Sequence, residues 1–428
     1  MTYPLMHRVR RAFSREREAD VRAAVDRELE MALASVVLRP GARVAITVGS
    51  RGIRDIAIIT RTIVGRLRAA GALPFIFPAM GSHGGATAEG QAAVLAHCGV
   101  TESAMGCPVL SSMQTVELGQ SPEGIPVFID SHAAAADHVV ALNRVKPHTE
   151  FKGEIESGLA KMLLIGMGKC EGARIYHRAF TDFGFDRIVR SIIPMVVEKA
   201  RVLFGLAIVE NAYEETALIR ALLPAEMPEG ERVLLRRAKE LAPGLPFDHL
   251  DVLIVDEMGK NVSGAGLDTN VIGRFYNHVA SEPALPRIKR IYVRDLTAES
   301  LGNATGIGLA DFVHRDVVDK MNVVATRTNC VTGSNPEKAR IPIVCDSDRA
   351  ALDFCFATIG LTPAEKARVI RIQSTLRLTE MDISKALMEA AGSRADLEIV
   401  GSPEPMGFDG AGRLAERLPA EAGRFLVD

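Results

Sequence analysis

The sequence predicts the α/β class, with two α/β domains and a cleft between them. Its 428 residues exceed what one ordinary hydrophobic core accommodates. The first half alternates short apolar runs with helical patterns, and a second rhythm of strands begins after a segment rich in proline and glycine at 243–248. We therefore predict an N-terminal domain over 1–245 and a C-terminal domain over 246–428. The last segment, from about 385 to 428, could complete either domain.

The elements of the first half predict where a ligand would bind. Buried strands are predicted at 43–48, 73–78 and 138–142, with a helix at 55–70 between the first two. The first two strands run into glycine-rich loops at 49–53 and 80–87, and the third runs into a segment that contains Lys146 and His148. Because ligands of α/β sheets bind beyond the carboxyl ends of the strands, these three segments are expected to meet at one crevice.

The elements of the second half follow a similar order. After the linker, the pattern predicts strands, a glycine-rich turn, a helix and a last strand. The strands are predicted at 252–256, 290–293 and 323–326, the turn at 303–308, the helix at 379–391 and the last strand at 396–400.

Composition excludes several classes of function. Charged residues make up 24% of the chain and the net charge is −2, so no electrostatic feature favours a nucleic-acid partner. No apolar run approaches eighteen residues and the arginine-rich start lacks a hydrophobic signal segment, so we expect neither a membrane span nor secretion, and a cytoplasmic location. The six cysteines form no Cys-x-x-Cys pair, which is typical of reduced core thiols.

The segment from 143 to 177 holds the densest set of titratable groups. His148 follows a proline, so we expect an extended or turn conformation from which its side chain can enter a cleft. Lys161 precedes the apolar run 162–165, and an amine at the edge of apolar packing can lose its proton and act as a nucleophile. The glutamates at 150, 154 and 156 alternate with a lysine, which is more typical of a solvated face than of a carboxylate pair.

Three further residues have two interpretations each. Arg51 could hold a carboxylate through two parallel hydrogen bonds, or it could be a solvated surface arginine. His83 lies among glycines that let a ligand approach, yet it could simply cap the following helix. His177 offers a good ligand for nickel, zinc or copper, but one histidine does not make a metal site.

The order of Arg51, His83, His148, Lys161 and His177 resembles the lactate racemase family, the nickel-dependent racemases that use a pincer nucleotide. In that family an arginine loop precedes a Gly-x-His loop, a Pro-His pair and a Ser-Gly-Gly-x-Lys motif. A histidine follows the lysine after sixteen residues, and here 177 − 161 = 16. The Gly-Ser-His and Pro-His sequences are both present, so the resemblance covers roughly residues 45 to 180.

The resemblance implies a role for each of these residues. Lys161 would carry a pyridinium-type mononucleotide as a thioamide, and His177 would complete the coordination of nickel. His83 and His148 would be the acid/base pair, and Arg51 would hold the substrate carboxylate. Inversion of a 2-hydroxy acid removes a proton and a hydride, and the cofactor would store the hydride while histidines handle the proton near neutral pH.

The sequence departs from the family pattern at several places. Leu159 replaces the second glycine of the lysine motif, and the interval from His148 to Lys161 is longer by about three residues. The family's substrate-facing lysine in the second domain has two candidate counterparts, Lys260 and Arg274. These departures predict a divergent branch that acts on a substrate other than lactate, such as a sugar acid or a dicarboxylate.

The sequence thus predicts an isomerase, a racemase or epimerase of a 2-hydroxy acid with a nickel pincer nucleotide tethered to Lys161. Its expected partners are the small-molecule substrate and, transiently, the enzymes that make the cofactor, and a homo-oligomer is compatible with the sequence. One alternative is a lyase or isomerase that needs no cofactor or only a simple metal ion. The other is a non-catalytic protein that binds anions.

Overall fold

The computed structural model describes residues 1–50, 52–276 and 282–416. The chain splits into two compact units, and we call Ser14–Ala242 the N-terminal unit and Met1–Phe13 with Pro243–Asp428 the C-terminal unit. Both units combine a largely parallel sheet with helices, so the α/β class predicted from the sequence is confirmed.

The strands of the described residues are short and mostly buried. In chain order they are β1 Leu5–Arg11, β2 Arg43–Val48, β3 Leu73–Pro78, β4 Thr115–Gln120, β5 Pro126–Asp130, β6 His138–Arg144, β7 Val202–Glu210, β8 Thr216–Leu222, β9 His249–Met258, β10 Arg287–Leu296, β11 Phe312–His314, β12 Ile343–Cys345, β13 Val369–Ser374, β14 Arg377–Ser384 and β15 Leu397–Pro405.

The helices connect these strands. They are α1 Val21–Ala34, α2 Ile56–Ala69, α3 Ala88–His97, α4 Glu102–Met105, α5 Ser131–Ala134, α6 Leu159–Lys161, α7 Lys169–Phe183, α8 Phe185–Lys199, α9 Met227–Leu241, α10 Thr269–Ile272, α11 Arg315–Asp319, α12 Val323–Thr332, α13 Asp348–Ala357 and α14 Met388–Gly392. Short 3₁₀ turns lie at Gly84–Ala86, Ala298–Ser300, Ile307–Leu309, Pro336–Ala339, Ala364–Lys366 and Lys385–Leu387, and a π-helical turn at Met162–Gly166. No helix in the described ranges is long and apolar enough to cross a membrane.

The N-terminal unit is built on a five-stranded sheet in the order β3-β2-β6-β7-β8. The pairs from β3 to β7 are parallel, and β8 closes the sheet antiparallel to β7. Every residue of β7 is buried, as expected for a strand covered on both faces. Apolar side chains of α1 and α2 form one hydrophobic core with buried side chains of this sheet. The strands predicted at 43–48, 73–78 and 138–142 and the helix predicted at 55–70 are confirmed.

The C-terminal unit contains an eight-stranded sheet in the order β12-β11-β10-β9-β13-β14-β1-β15. Strand β1 lies between β14 and β15 and is antiparallel to both. The first thirteen residues therefore belong with the second half of the chain, whereas the sequence division placed them with the first. Strand β15 pairs with β1, so the C-terminal segment up to residue 405 completes this sheet and not that of the N-terminal unit.

Two predicted elements of the second half are wrong. The apolar run predicted as a strand at 323–326 begins helix α12, because the side chain of Asn322 accepts the backbone N–H of Ala325 and caps it. The helix predicted at 379–391 begins within strand β14, which pairs with both β13 and β1, and only its end, from Met388, is helical in α14. The strands predicted at 252–256, 290–293 and 396–400 are confirmed within β9, β10 and β15.

Candidate active site

Three connecting segments leave the N-terminal unit's sheet at one edge. Strand β2 runs parallel to β3 on one side and to β6 on the other, so the residues after these three strands start from the same edge. The segments carry the predicted site residues, except that Arg51 lies outside the described residues. The carboxyl ends of β2, β3 and β6 therefore lie at one edge of the sheet, as predicted from the sequence.

The central feature of the site is a pair formed by His148 and Lys161. The lysine Nζ lies 2.7 Å from the histidine Nε2. The other ring nitrogen, Nδ1, accepts the backbone N–H of Glu150 at 3.1 Å. His148 is buried and Lys161 is half-buried, so water competes only partly for this contact. His148 and Lys161, which lie 13 positions apart in the sequence, are thus in direct contact.

A buried carboxylate organises the segment that carries His148. Glu156 is 1% exposed, and its Oε2 accepts the backbone N–H of His148 at 2.8 Å. Lys239 of α9 forms an ion pair with Oε1 at 2.7 Å, and Lys152 approaches Oε2 at 3.8 Å. The interpretation of Glu156 as part of a solvated face is wrong, because its charge is buried and used to fix a loop by charge-assisted hydrogen bonds.

A row of aromatic rings in contact with one another connects His148 to His177. The imidazole of His148 stacks on Phe151 with centroids 3.7 Å apart, and Phe151 stacks on Phe185 at 3.9 Å. Phe180 meets Phe185 edge-on at 5.1 Å, and His177 meets Phe180 edge-on at 5.8 Å. Close aromatic packing restricts the rotation of both imidazoles. His148 and His177 therefore belong to one cluster of rings. Phe185 at the start of α8 and Phe180 of α7 complete this cluster.

The environment of His177 favours its neutral form. Burial lowers the pKa of the His177 imidazole, the negative charge of Glu150 opposes that change, and a positive charge on Lys161 would add to it. A neutral imidazole keeps the lone pair that a metal ion needs. His177 is therefore suited to bind a metal ion at neutral pH, and it lies close enough to Lys161 for their charges to interact.

The lysine sits on a short turn that is held from two sides. Helix α6 leads into the π-helical turn Met162–Gly166, and the side-chain amide of Asn143 donates to the Gly158 carbonyl at 2.6 Å just before it. From α9, Glu231 Oε2 accepts the backbone N–H of Ala160 at 3.0 Å. Glu231 is 1% exposed, and no sequence signal links it to Lys161 because it lies 70 residues away.

Replacing Glu231 with glutamine should stabilise the protein at alkaline pH. Burial raises the pKa of Glu231 from 4.5 to about 7, and the N–H groups of Ala160 and Leu159 oppose this only in part. The folded state thus disfavours the carboxylate form of Glu231, which lowers the stability of the fold by roughly 3 kcal/mol when the group is ionised. This destabilisation is fully present above pH 7 and vanishes as the pH falls to 4.5. Thermal melts should show Glu231→Gln above the wild type at pH 8, with the gap narrowing toward pH 5.

The matched control for that melt is Glu229→Gln, two residues earlier on the same helix, where the side chain is exposed. It should melt like the wild type at both pH values. A gap between Glu231→Gln and the wild type that does not change with pH would contradict the assignment of a raised pKa to Glu231.

Leu159, which stands where the family's lysine motif has a second glycine, packs into the hydrophobic core. Its side chain is fully buried above strand β7, where residue 205 is glycine. A Cβ atom at Gly205 would come within 2.6 Å of Leu159 Cδ1. The leucine thus fills space that a side chain at 205 would need, and it packs into the core rather than beside the amine of Lys161.

His83 lies on the loop after β3 and is exposed. The following glycines, Gly84 and Gly85, have φ values of 63° and 65°, a region that favours glycine. A Cβ at Gly84 would come within 2.3 Å of the Gly90 backbone, so the loop packs tightly on the first turn of α3. Thr87, and not His83, caps α3 by accepting the Gly90 N–H at 3.0 Å. The helix-capping interpretation of His83 is therefore wrong for α3.

A buried polar network ties the His83 loop to helix α7. Lys169, the first residue of α7, is fully buried, and its Nζ donates to the Pro78 carbonyl and to Gln91 Oε1, both at 2.7 Å. Gln91 in turn donates to the Gly81 carbonyl at 2.8 Å. Asp130 Oδ2 lies 3.4 Å from the same amine. Because α7 carries His177, this network fixes the base of the His83 loop relative to His177.

Replacing Lys169 with methionine should destabilise the protein by about 3–5 kcal/mol, because it leaves Asp130 buried without its cation. The melting temperature should fall, and the double variant with Asp130→Leu should recover much of the loss. Lys199→Met, at an exposed lysine of α8, provides the control. Equal melting of the Lys169 and Lys199 variants would show that the network does not hold the loop.

The two C-terminal candidates differ in how their side chains are used. Arg274 is 7% exposed, donates to the carbonyls of Leu309 and Ile288, and forms an ion pair with Asp311 at 2.9 Å. Lys260 follows β9 and is half-buried, with its Nζ donating to the Gly264 carbonyl at 2.7 Å. These contacts favour a structural role for Arg274 and leave Lys260 as the better substrate candidate.

The residues present fit a cofactor that is held by one amine and one imidazole. Over the described ranges, no group of three or more histidine, cysteine, aspartate or glutamate side chains could hold a metal ion. A metal ion at His177 would therefore need further ligands that such side chains do not supply. The amine of Lys161 could provide a covalent tether. The neutral imidazole of His177, which lies close enough for the charges of the two residues to interact, could provide one metal ligand.

Comparisons with known proteins bear on the N-terminal part of the chain and on its fold. Residues 6–184 match the family model of the lactate racemase N-terminal domain, which includes every predicted site residue from Arg51 to His177. The lactate racemase apoprotein from Thermoanaerobacterium thermosaccharolyticum has a similar structure, with a TM-score of 0.52 and 15% identity over 85% of this chain and 93% of that chain. No curated protein sequence matches the chain. Residues 6–184 of the chain thus resemble the N-terminal domain of lactate racemases, and the fold of the chain is similar to that of a lactate racemase.

Proposed function

We propose that this protein is a racemase or epimerase of a 2-hydroxy acid that uses a nickel pincer nucleotide tethered to Lys161. The observation that carries the proposal is the contact of 2.7 Å between Lys161 Nζ and His148 Nε2, in a cluster that also holds His177. In this proposal a tethering amine, an acid/base group and a metal ligand lie together, in the order of the family motif. The match of residues 6–184 to the lactate racemase N-terminal domain supports the same class of reaction.

In this proposal Lys161 and His177 hold the cofactor. When bound, the cofactor would accept the hydride from the substrate carbon and return it. Lys161 forms the covalent link, and Asn143 and Glu231 keep its turn in place through the Gly158 carbonyl and the Ala160 N–H. His177 would hold the nickel through the lone pair of its imidazole, and its burial supports this role by favouring the neutral form.

The proton chemistry belongs to His148 and His83. His148 is held by its stack on Phe151 and by the Glu150 N–H at Nδ1, so Nε2 is the atom that exchanges a proton at the substrate hydroxyl. His83 comes from a different loop and serves the opposite face of the substrate. A racemase needs such a pair, because the hydroxyl is deprotonated on one side and reprotonated on the other.

We assign the substrate carboxylate to Arg51, and Lys260 stays a second candidate for substrate binding. Arginine suits a carboxylate because two of its N–H groups can donate in parallel. Lys260 keeps a flexible amine near a loop carbonyl, from which it can turn to an anion. We assign the enzyme to a sugar acid or dicarboxylate rather than to lactate, because Leu159 in the lysine motif and the longer interval from His148 to Lys161 differ from the family pattern.

Intact mass and nickel content test the proposal on the full chain co-produced with the cofactor-making enzymes. We expect a mass gain that maps to Lys161, stoichiometric nickel, and inversion at C2 in a panel of 2-hydroxy acids. An unmodified chain without nickel would instead favour an isomerase or lyase that needs no such cofactor. A modified chain that inverts C2 in none of these acids would favour the binding protein.

A further inference from the structure

Helix α9 holds the backbone of the turn that carries Lys161. Near the start of this helix, Glu231 Oε2 accepts the Ala160 N–H at 3.0 Å, directly before the lysine. Gly158 permits this approach, because a Cβ atom there would come within 2.2 Å of Glu231 Oε1. The first half of α9 is therefore in close contact with the turn.

The second half of α9 holds the loop that carries His148. Lys239 lies eight positions after Glu231, about 12 Å further along the helix axis. Its Nζ forms an ion pair with Glu156 Oε1 at 2.7 Å, and Glu156 Oε2 accepts the His148 N–H at 2.8 Å. Lys152 approaches Oε2 at 3.8 Å, but it belongs to the same loop and does not connect the loop to the helix. One helix thus contacts both segments of the site.

A small displacement of the loop would separate His148 from Lys161. The histidine Nε2 lies 2.7 Å from the lysine Nζ, and a contact about 1 Å longer is no longer a hydrogen bond. A misplacement of about 1 Å in a reacting group can lower a rate by about 100-fold. The contacts that fix this loop on α9 therefore bear on the reaction, although they lie on the backbone side of His148.

We infer that α9 positions His148 relative to Lys161, and that Glu156 and Lys239 are positioning residues for the proton transfer at His148. The inference rests on the proposed function for the roles of His148 and Lys161. It adds two residues to that site, and one of them, Lys239, lies outside the residues 6–184 that match the family model. Neither exchanges the proton, because both act through the backbone N–H of His148.

Glu156→Gln breaks the link at the carboxylate. Each carboxylate oxygen holds one partner, whereas an amide offers a single oxygen and its NH₂ group cannot accept, so either His148 or Lys239 loses its contact. Lys239→Met breaks the link from the helix, and Lys239→Arg should keep it because a guanidinium also pairs with a carboxylate. Glu240→Gln, at the exposed neighbour of Lys239, is the matched control.

The first readout is the Cε1–H resonance of His148 in the full chain with labelled histidine, produced without the cofactor-making enzymes. The imidazole stacks on Phe151 with centroids 3.7 Å apart, so the ring current displaces this resonance and a loosened loop should move and broaden it. His148→Gln identifies the signal by its loss. We expect the signal to move in Glu156→Gln and Lys239→Met, and to keep its wild-type position in Lys239→Arg and Glu240→Gln.

The second readout is turnover per nickel atom in protein co-produced with the cofactor-making enzymes. Glu156→Gln and Lys239→Met should lower kcat by about 10- to 100-fold and change KM by less than about twofold, because the displaced group moves the proton and the substrate keeps its carboxylate contact. Lys239→Arg should recover most of the loss. Thermal melts check folding, and Glu156→Gln carries the test if Lys239→Met does not fold, since it leaves no buried charge unpaired beside the partly exposed Lys152 and Lys239.

An unmoved His148 resonance in the folded Glu156→Gln and Lys239→Met variants would overturn the inference. So would a wild-type kcat in both variants once they are loaded with nickel. Failure of the proposed function looks different, because it leaves the wild type without nickel and without inversion at C2. The resonance measurement needs no cofactor, so it still decides the inference in that case.

Discussion

Lys161→Ala should remove all covalently attached cofactor and all tethered nickel from protein co-produced with the cofactor-making enzymes. The amine is the only atom of this residue that can form the link, and its contact with His148 Nε2 places it within the proposed site. His177 alone offers a single imidazole, and no cluster of three acidic, histidine or cysteine side chains within the described residues could retain nickel in its place. Intact mass spectrometry and metal analysis of the same sample measure both losses.

Lys199→Ala serves as the control, since this exposed lysine of α8 lies on the same unit. It should carry cofactor and nickel like the wild type. A thermal melt should show that Lys161→Ala is folded, because the turn keeps its backbone contacts through Gly158 and Ala160. Tethered nickel in Lys161→Ala would contradict the assignment of the attachment site.

His148→Gln should retain cofactor and lose turnover by about 10²–10⁴-fold, the range expected for removing a general acid/base. Glutamine keeps a polar side chain of similar reach but cannot accept and release a proton near neutral pH. The loss corresponds to about 3–5 kcal/mol of transition-state stabilisation. Turnover is measured as racemisation per nickel atom, so that incomplete cofactor attachment does not affect the comparison.

His83→Gln should behave in the same way, because the proposal places one histidine on each face of the substrate. His97→Gln, at an exposed histidine of α3, is the matched control and should retain full activity. Full turnover in either the His148 or the His83 variant would remove that histidine from the acid/base pair. A loss of nickel in the His148 variant would instead place that residue among the groups that retain the cofactor.

Much of the N-terminal unit could be predicted from the sequence because its signals are local. Buried parallel strands are continuous apolar runs, so β2, β3 and β6 were visible, and their carboxyl ends indicated where a site would lie. His83 and His148 lie within a few residues of those strand ends, whereas Lys161 and His177 followed from their order and spacing along the chain. In the C-terminal unit the same reasoning failed at residues 323–326, where a cap at Asn322 outweighs the strand propensity of two valines.

The sequence by itself determined the fold class, the main strands of both halves and the candidate residues His83, His148, Lys161 and His177. Only the tertiary structure decided which groups meet them, since burial and pairing between distant segments are not encoded locally. Glu231 reaches the Lys161 turn from a helix 70 residues away, and Lys169 joins α7 to β3 through the Pro78 carbonyl and to α3 through Gln91. Strand β1 belongs to the sheet of the C-terminal unit because pairing with β14 on one side and β15 on the other satisfies its backbone hydrogen bonds.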